Sequence, residues 1–248
     1  MATRKSGRAG QAARATAGTG AIEVKVTVAE RHEDDALRRF RLTRADAELR
    51  RIFFFDTPRL SLFKKGVALR ARALEADAGD STVKIRPVEP QRVGAKWRDR
   101  SGFKLEADAV GTKVIRSASL TSDQHPKEID EVASGARPID KLFSGDQEEF
   151  LAALAPISVA WSKLVPLGPV ATRRWKFEHP GLPYELCAEE WRLPDGNDLI
   201  ELSIKAKPEQ AAAAQAALHG FLAELGLAPQ ARAATKTRLA LDYFAKRS

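Results

Sequence analysis

The chain has 248 residues, 44% hydrophobic and 30% charged, a make-up that fits one large or two small folded domains and excludes a disordered or collagen-like chain. No apolar run approaches the roughly 18 residues of a membrane-spanning helix, and the single cysteine, Cys187, excludes an intrachain disulfide framework and a cysteine-built zinc cluster. Basic residues outnumber acidic ones 41 to 33, yet Arg4, Lys5, Arg8 and Arg14 fall in residues 1–20, which hold no acid, so half of the net charge of +8 belongs to that segment.

Residues 1–20 are rich in Ala, Gly and Thr without an apolar stretch, and they read as a disordered basic tail rather than a secretory signal. Residues 21–248 show no tandem repeat and no convincing break, so they read as one domain. The alternation in Glu23–Val28 predicts a strand. Residues 33–50, charge-dense with Leu37, Phe40, Leu42 and Leu49 at loose helical spacing, predict one helix or two short ones. Phe53-Phe54-Phe55 predicts a short strand closed by the turn Asp56-Thr57-Pro58. Further strands are expected at Val67–Ala73, Thr82–Arg86 and Gly102–Ala109, then helices across 122–160 broken at Ser144-Gly145. Strands return at Val170–Glu178, Tyr184–Trp191 and Asp198–Ala206, and Pro208 opens a helix that Gly226 stops. His125 and His179, in turn-rich stretches, are expected to be exposed. Eight strands joined mainly by turns, with helices added, predict an α+β fold built on an antiparallel sheet or barrel.

Residues i and i+2 of a strand point the same way. Glu23 and Lys25, Arg70 and Arg72, Lys84 and Arg86, Lys104, Glu106 and Asp108, Glu185, Cys187 and Glu189, and Glu201, Ser203 and Lys205 therefore each share a face, opposite apolar neighbours. A face turned to water needs only polarity, whereas like charges side by side repel and are tolerated for a ligand of opposite sign. A barrel with this face inward would hold a ring of Lys and Arg beside a patch of Glu. Guanidinium forks suit phosphate oxygens, and carboxylates suit Mg²⁺ or Mn²⁺ bridging to the same oxygens.

The stretch Phe54-Phe55-Asp56-Thr57-Pro58-x-Leu60 followed by Gly66-Val67-Ala68-Leu69-Arg70-Ala71-Arg72 resembles the Y-F-D-T-P-x-L and G-x-x-L-R-x-R motifs of the CYTH family, the triphosphate tunnel metalloenzymes. Val83–Arg86, Lys104-Leu105-Glu106, Tyr184–Glu189, Ile200-Glu201-Leu202 and Thr235-Lys236-Thr237-Arg238 are similar to its later motifs, so the resemblance runs over nearly the whole chain. It implies a closed, eight-stranded-type antiparallel β tunnel with helices covering the outside. It also implies hydrolysis of inorganic or organic triphosphate with Mg²⁺ or Mn²⁺. Substrate would be held by Lys25, Arg70, Arg72, Lys84, Arg86, Lys104, Arg174, Lys236 and Arg238, and metal by Glu23, Glu106, Glu185, Glu189 and Glu201, with Glu23, Lys25 and Glu201 closest to the chemistry.

Three departures stand against that pattern. Ala21 replaces the first Glu of E-x-E-x-K, Ser203 replaces the second Glu of E-L-E with Lys205 next on that face, and Thr172 stands where an Arg precedes Trp175, with Arg173 or Arg174 to substitute. Two alternatives follow, a non-catalytic polyphosphate- or nucleotide-binding tunnel and a class IV adenylate cyclase, although nothing in the sequence indicates a base pocket. The expected partner is a triphosphate or polyphosphate small molecule in the cytoplasm, with no membrane and no nucleic acid, and a homodimer stays open. Cys187 reads as a small filler and Asp56 as a turn residue.

Overall fold

In the computed structural model the described residues are 22–28, 33–75, 78–110, 113–196, 198–227, 229–230 and 235–247, so the basic tail and Ala21 lie outside them. Nine strands form a ring: β1 (Ile22–Val28), β2 (Glu48–Asp56), β3 (Val67–Leu74), β4 (Gly79–Ile85), β5 (Phe103–Val110), β6 (Lys113–Asp123), β7 (Val165–His179), β8 (Leu182–Arg192) and β9 (Leu199–Ala206). Their order is β1-β5-β6-β4-β3-β2-β7-β8-β9, and β9 pairs back onto β1. A two-residue strand, β10 (Pro229–Gln230), lies against Thr27 and Val28 beyond the point where β5 leaves β1.

This corrects the expected eight-stranded antiparallel tunnel. The ninth strand is β6, whose inward Ser117, Ser119 and Thr121 face Glu106, Lys104 and Thr82. Small hydroxyl residues on one face and Ala118 and Leu120 on the other give little of the contrast that marks a strand. An odd ring cannot alternate direction throughout, so one adjacent pair must run parallel, and that pair is β1 with β5.

The helices α1 (Glu33–Arg39), α2 (Ser61–Lys64), α3 (Ala95–Arg98), α4 (Pro126–Ala133), α5 (Gly145–Leu154) and α6 (Ala211–Glu224) cover most of the outside, and α7 (Lys236–Ala245) follows them in the chain. The outward residues Leu69, Val83 and Leu120 pack with Trp97 of α3, Ile129 of α4, and Phe150 and Leu151 of α5. On the other side Val24, Leu186, Leu202 and Ile204 pack with Leu37 of α1 and Leu218, Phe221 and Leu222 of α6. Burying each large side chain contributes about 1.5–3 kcal/mol, which fixes the apolar face outward and the charged face inward.

Local signals set the joints. Ser144 and Gln147 form a reciprocal capping box that starts α5. Gly226 ends α6 at φ 65°, a left-handed conformation suited to glycine. The Asp56 carboxylate accepts from the backbone N–H groups of Thr57, Leu62 and Phe63 at 2.7–2.9 Å, which ties the end of β2 to α2 and bears out its reading as a structural residue. Of the histidines, His125 is exposed as expected, but His179 is half-buried against the rings of Phe40 and Phe221.

The helix α7 was not anticipated. Its Ala240 and Leu241 pack on Ile52, Phe54, Leu167, Val170, Trp191 and Leu199. Ile52 and Phe54 pair with Arg72 and Arg70 and so share the inward face. One part of the ring's inner surface is thus apolar and filled by α7, and the rest is charged. No helix among the described residues is long and apolar enough to cross a membrane.

Candidate functional site

Residues paired across a sheet point to the same side, so the register identifies the lumen wall. Lys25 is paired with Ser203, Ser203 with Cys187, Glu201 with Glu189, and Glu189 with Arg174. Farther round, Arg72 is paired with Asp80, Arg70 with Thr82, Lys84 with Ser119, and Ser119 with Lys104. Of the residues expected to bind phosphate, Lys25, Arg70, Arg72, Lys84, Lys104 and Arg174 therefore stand on one continuous inner face. Arg86 stands just beyond the end of β4, where its backbone N–H donates to Gly66 O at 2.7 Å. Arg174 is the lumenal arginine of the pair that could replace the missing one, because Arg173 lies on the outer face against the buried carboxylate of Glu190 at 2.8 Å. Arg238 is not brought to the other bases: it is paired with Asp242 at 2.6 Å and lies over the ring of Phe63 on an exposed part of α7.

Several of these charges are matched internally. Arg72 grips Asp80 through Nε and Nη2 at 2.6–3.0 Å. Lys84 donates to Glu106 at 2.9 Å, and Lys25 lies 3.0 Å from Glu23. Burial alone would raise the Glu106 carboxyl, but Lys84, with Lys25 and Lys104, holds it below the usual carboxylate range. Arg70 differs. It makes no hydrogen bond or ion pair among the described residues, and its buried Nε has no partner. Burial first, and then the neighbouring charge of Arg72, pull its guanidinium down to about 10.

The opposite wall holds the carboxylates. Glu189 and Glu201 stand side by side on β8 and β9, and the Lys236 ammonium of α7 lies between them, hydrogen-bonded to Glu189 and 2.8 Å from Glu201. Trp191 supports the cluster, its indole N–H 3.3 Å from Glu189 and its ring 5.1 Å from the ammonium. Burial lowers the Lys236 ammonium and raises Glu189. The opposed charges outweigh both effects, so Lys236 is held above its usual range and Glu189 well below the usual carboxylate range.

A resident Mg²⁺ or Mn²⁺ does not fit this donor set. Among the described residues no three of His, Cys, Asp and Glu gather as a metal site. Of the five carboxylates expected to hold metal, Glu23 and Glu106 each face a lysine, and Glu189 and Glu201 share Lys236. Glu185 is exposed and lies 3.8 Å from Lys176. Sequence reasoning also passed over Arg50, buried and paired in register with lumenal Thr172, and Asp80, the partner of Arg72. Parity with Ile52 and with Lys84 marks both, once β2 and β4 are extended to their full lengths. Cys187, read as filler, accepts from Arg174 Nε at 3.1 Å.

Compared by sequence, the chain matches no protein-family model and no curated protein. Compared by structure, it is similar to a protein of Bacillus halodurans described as a candidate adenylate cyclase. The two are 18% identical with a TM-score of 0.60, over 88% of this chain and 98% of that one. It is similar as well to a candidate adenylyl cyclase of Hippeastrum in which triphosphatase activity is dominant, at 18% identity and a TM-score of 0.62 over 89% and 95% of the two chains. The chain therefore has the triphosphate tunnel fold of CYTH-type proteins, as its motifs indicated.

Proposed function

We propose that the lumen binds the phosphate chain of a triphosphate-containing small molecule and hydrolyses it. The observation that carries this reading is Arg70, a lumenal guanidinium without a hydrogen-bond or ion-pair partner among the described residues, beside Arg72 on the inner face that Lys25, Lys84 and Lys104 share. Leaving such a group desolvated and unpaired is costly, and a phosphate oxygen is the acceptor that its planar fork suits best. A linear polyanion in the ring would also loosen Lys84 from Glu106 and Lys25 from Glu23. Each freed carboxylate then stands beside bound phosphate, able to accept the proton of an attacking water. Mg²⁺ or Mn²⁺ enters in this reading as the counter-ion of the substrate's own phosphates.

A second reading, a tunnel that binds polyphosphate without turnover, is favoured by Ser203 and by the engagement of Glu189 and Glu201 with Lys236. Titration with tripolyphosphate, combined with measurement of released phosphate, separates the two. Binding and phosphate release that are both lost in Arg70→Ala support the triphosphatase. Binding without release selects the second reading, and absence of binding overturns both. Because the names of the structural relatives refer to adenylate cyclases, cyclic AMP formed from ATP is measured in parallel, and its appearance would displace hydrolysis as the principal reaction.

A further inference from the structure

We infer that the Glu189–Glu201 pair carries its own tethered cation: Lys236, delivered by α7, fills the position in which these carboxylates would hold a divalent ion, so the pair takes up no Mg²⁺ or Mn²⁺ while α7 is seated. The two glutamates are direct cross-strand partners on the inner face, and like charges so placed repel unless a cation lies between them. The ammonium lies there, on both carboxylates, with the side chains of Lys236, Glu201 and Glu189 only 16%, 13% and 25% exposed.

Independent contacts hold the lysine in place. Lys236 is the first residue of α7, and the Thr235 hydroxyl caps that turn by accepting from the Arg238 N–H. Ala240 and Leu241, one turn and more along, are buried against the apolar part of the lumen. The Trp191 ring lies beside the ammonium while its N–H donates to the same Glu189 oxygen that accepts from Lys236, which leaves that oxygen little capacity for a metal.

The surrounding composition points the same way. Divalent ions of this kind need several oxygen ligands, commonly including carboxylates not already neutralised. Ser203, next on the inner face of β9, supplies a hydroxyl where a third carboxylate would complete the set, and its register partner on β1 is Lys25, another cation. Of the other acids on the inner face, Glu23, Glu48, Asp80 and Glu106 each have a basic partner. An incoming ion must therefore first evict the ammonium and loosen the first turn of α7.

The test uses the full chain with Mn²⁺ alone, without phosphate, read by electron paramagnetic resonance and calorimetry. No turnover is measured, so this inference stands or falls apart from the triphosphatase reading. Lys236→Met keeps an apolar stem beside Trp191 and removes the charge. It is expected to bind Mn²⁺ at least about tenfold more tightly than the parent, and Glu201→Gln in the same background is expected to abolish the gain. Equal Mn²⁺ affinity in parent and Lys236→Met overturns the inference. Should Lys236→Met fail to fold, the parent decides: saturable Mn²⁺ binding that disappears in Glu201→Gln overturns it, and no such binding supports it.

Discussion

Replacing Arg70 with Met should strengthen the empty protein and weaken its hold on phosphate. The guanidinium is held at about 10 against an ordinary 12.5, a difference which at ~1.36 kcal/mol per unit corresponds to ~3 kcal/mol against the charged form. Part of the side chain still meets water, so about 1–2 kcal/mol is the expected gain when a methionine of similar reach replaces it. For a domain of this size that raises the thermal midpoint by roughly 2–8 °C. In the same variant, phosphate oxygens lose a charged donor worth about 1.5–3 kcal/mol, a fall in tripolyphosphate affinity of roughly ten- to a hundredfold. Thermal unfolding without ligand and calorimetric titration with tripolyphosphate read the two effects, which have opposite signs. A variant that is less stable and binds as tightly as the parent would refute the reasoning, because Arg70 would then be a packing residue.

Three further outcomes follow from the structure. Glu189 has a folded-state pKa depressed below its ordinary 4.5 by Lys236, so its contribution is complete above about pH 4.5 and is lost as the pH falls toward the folded value. Glu189→Gln should flatten the parent's loss of stability below that pH in acid denaturation, and an unchanged acid limb would sink the assignment. Glu190→Gln removes a fully buried outer-face carboxylate that Arg44 and Arg173 approach at 3.3 and 2.8 Å. It should cost about 3–5 kcal/mol in chemical denaturation while tripolyphosphate affinity stays at the parent's value, since the outer face does not contact the lumen. Gly66→Ala asks for a side chain at φ 79° with its Cβ 2.1 Å from Arg86 O, so the β3–β4 joint must open. A drop of several degrees in the thermal midpoint together with weaker phosphate binding is expected, and a parent-like melting curve would contradict it.

The strands whose two faces differ sharply were legible in advance. Leu69–Ala73 alternates apolar and basic residues without a break, and its register puts Arg70 and Arg72 on the lumen wall together with Lys84 of β4. The sequence said less where a face carries little contrast. Lys113–Asp123 presents Ser and Thr inward, so one strand of the ring went unread, and with it the parity that demands a parallel pair. Lys236 and Arg238 looked equivalent in sequence. The helical geometry of α7 separates them, turning one toward Glu189 and Glu201 and pairing the other with Asp242. The carboxylates were found, but the neutralisation of Glu106, Glu189 and Glu201 was not, because their lysine partners lie on elements far away in the chain and leave no local signature.

The position of β1 has a consequence for how the chain is made. It precedes the other described strands in the chain, yet its principal partner is β9, with Glu23 meeting Lys205 about 180 residues later in the chain. Until Ala206 has been added, β1 can lean only on the short parallel segment of β5, and the ring stands open along one seam. Contacts at such separation close late and slowly, and an open seam offers unpaired backbone to any passing strand. Refolding should therefore end with the joining of the first strand to the ninth, and chains truncated before β9 should aggregate instead of accumulating as a folded fragment.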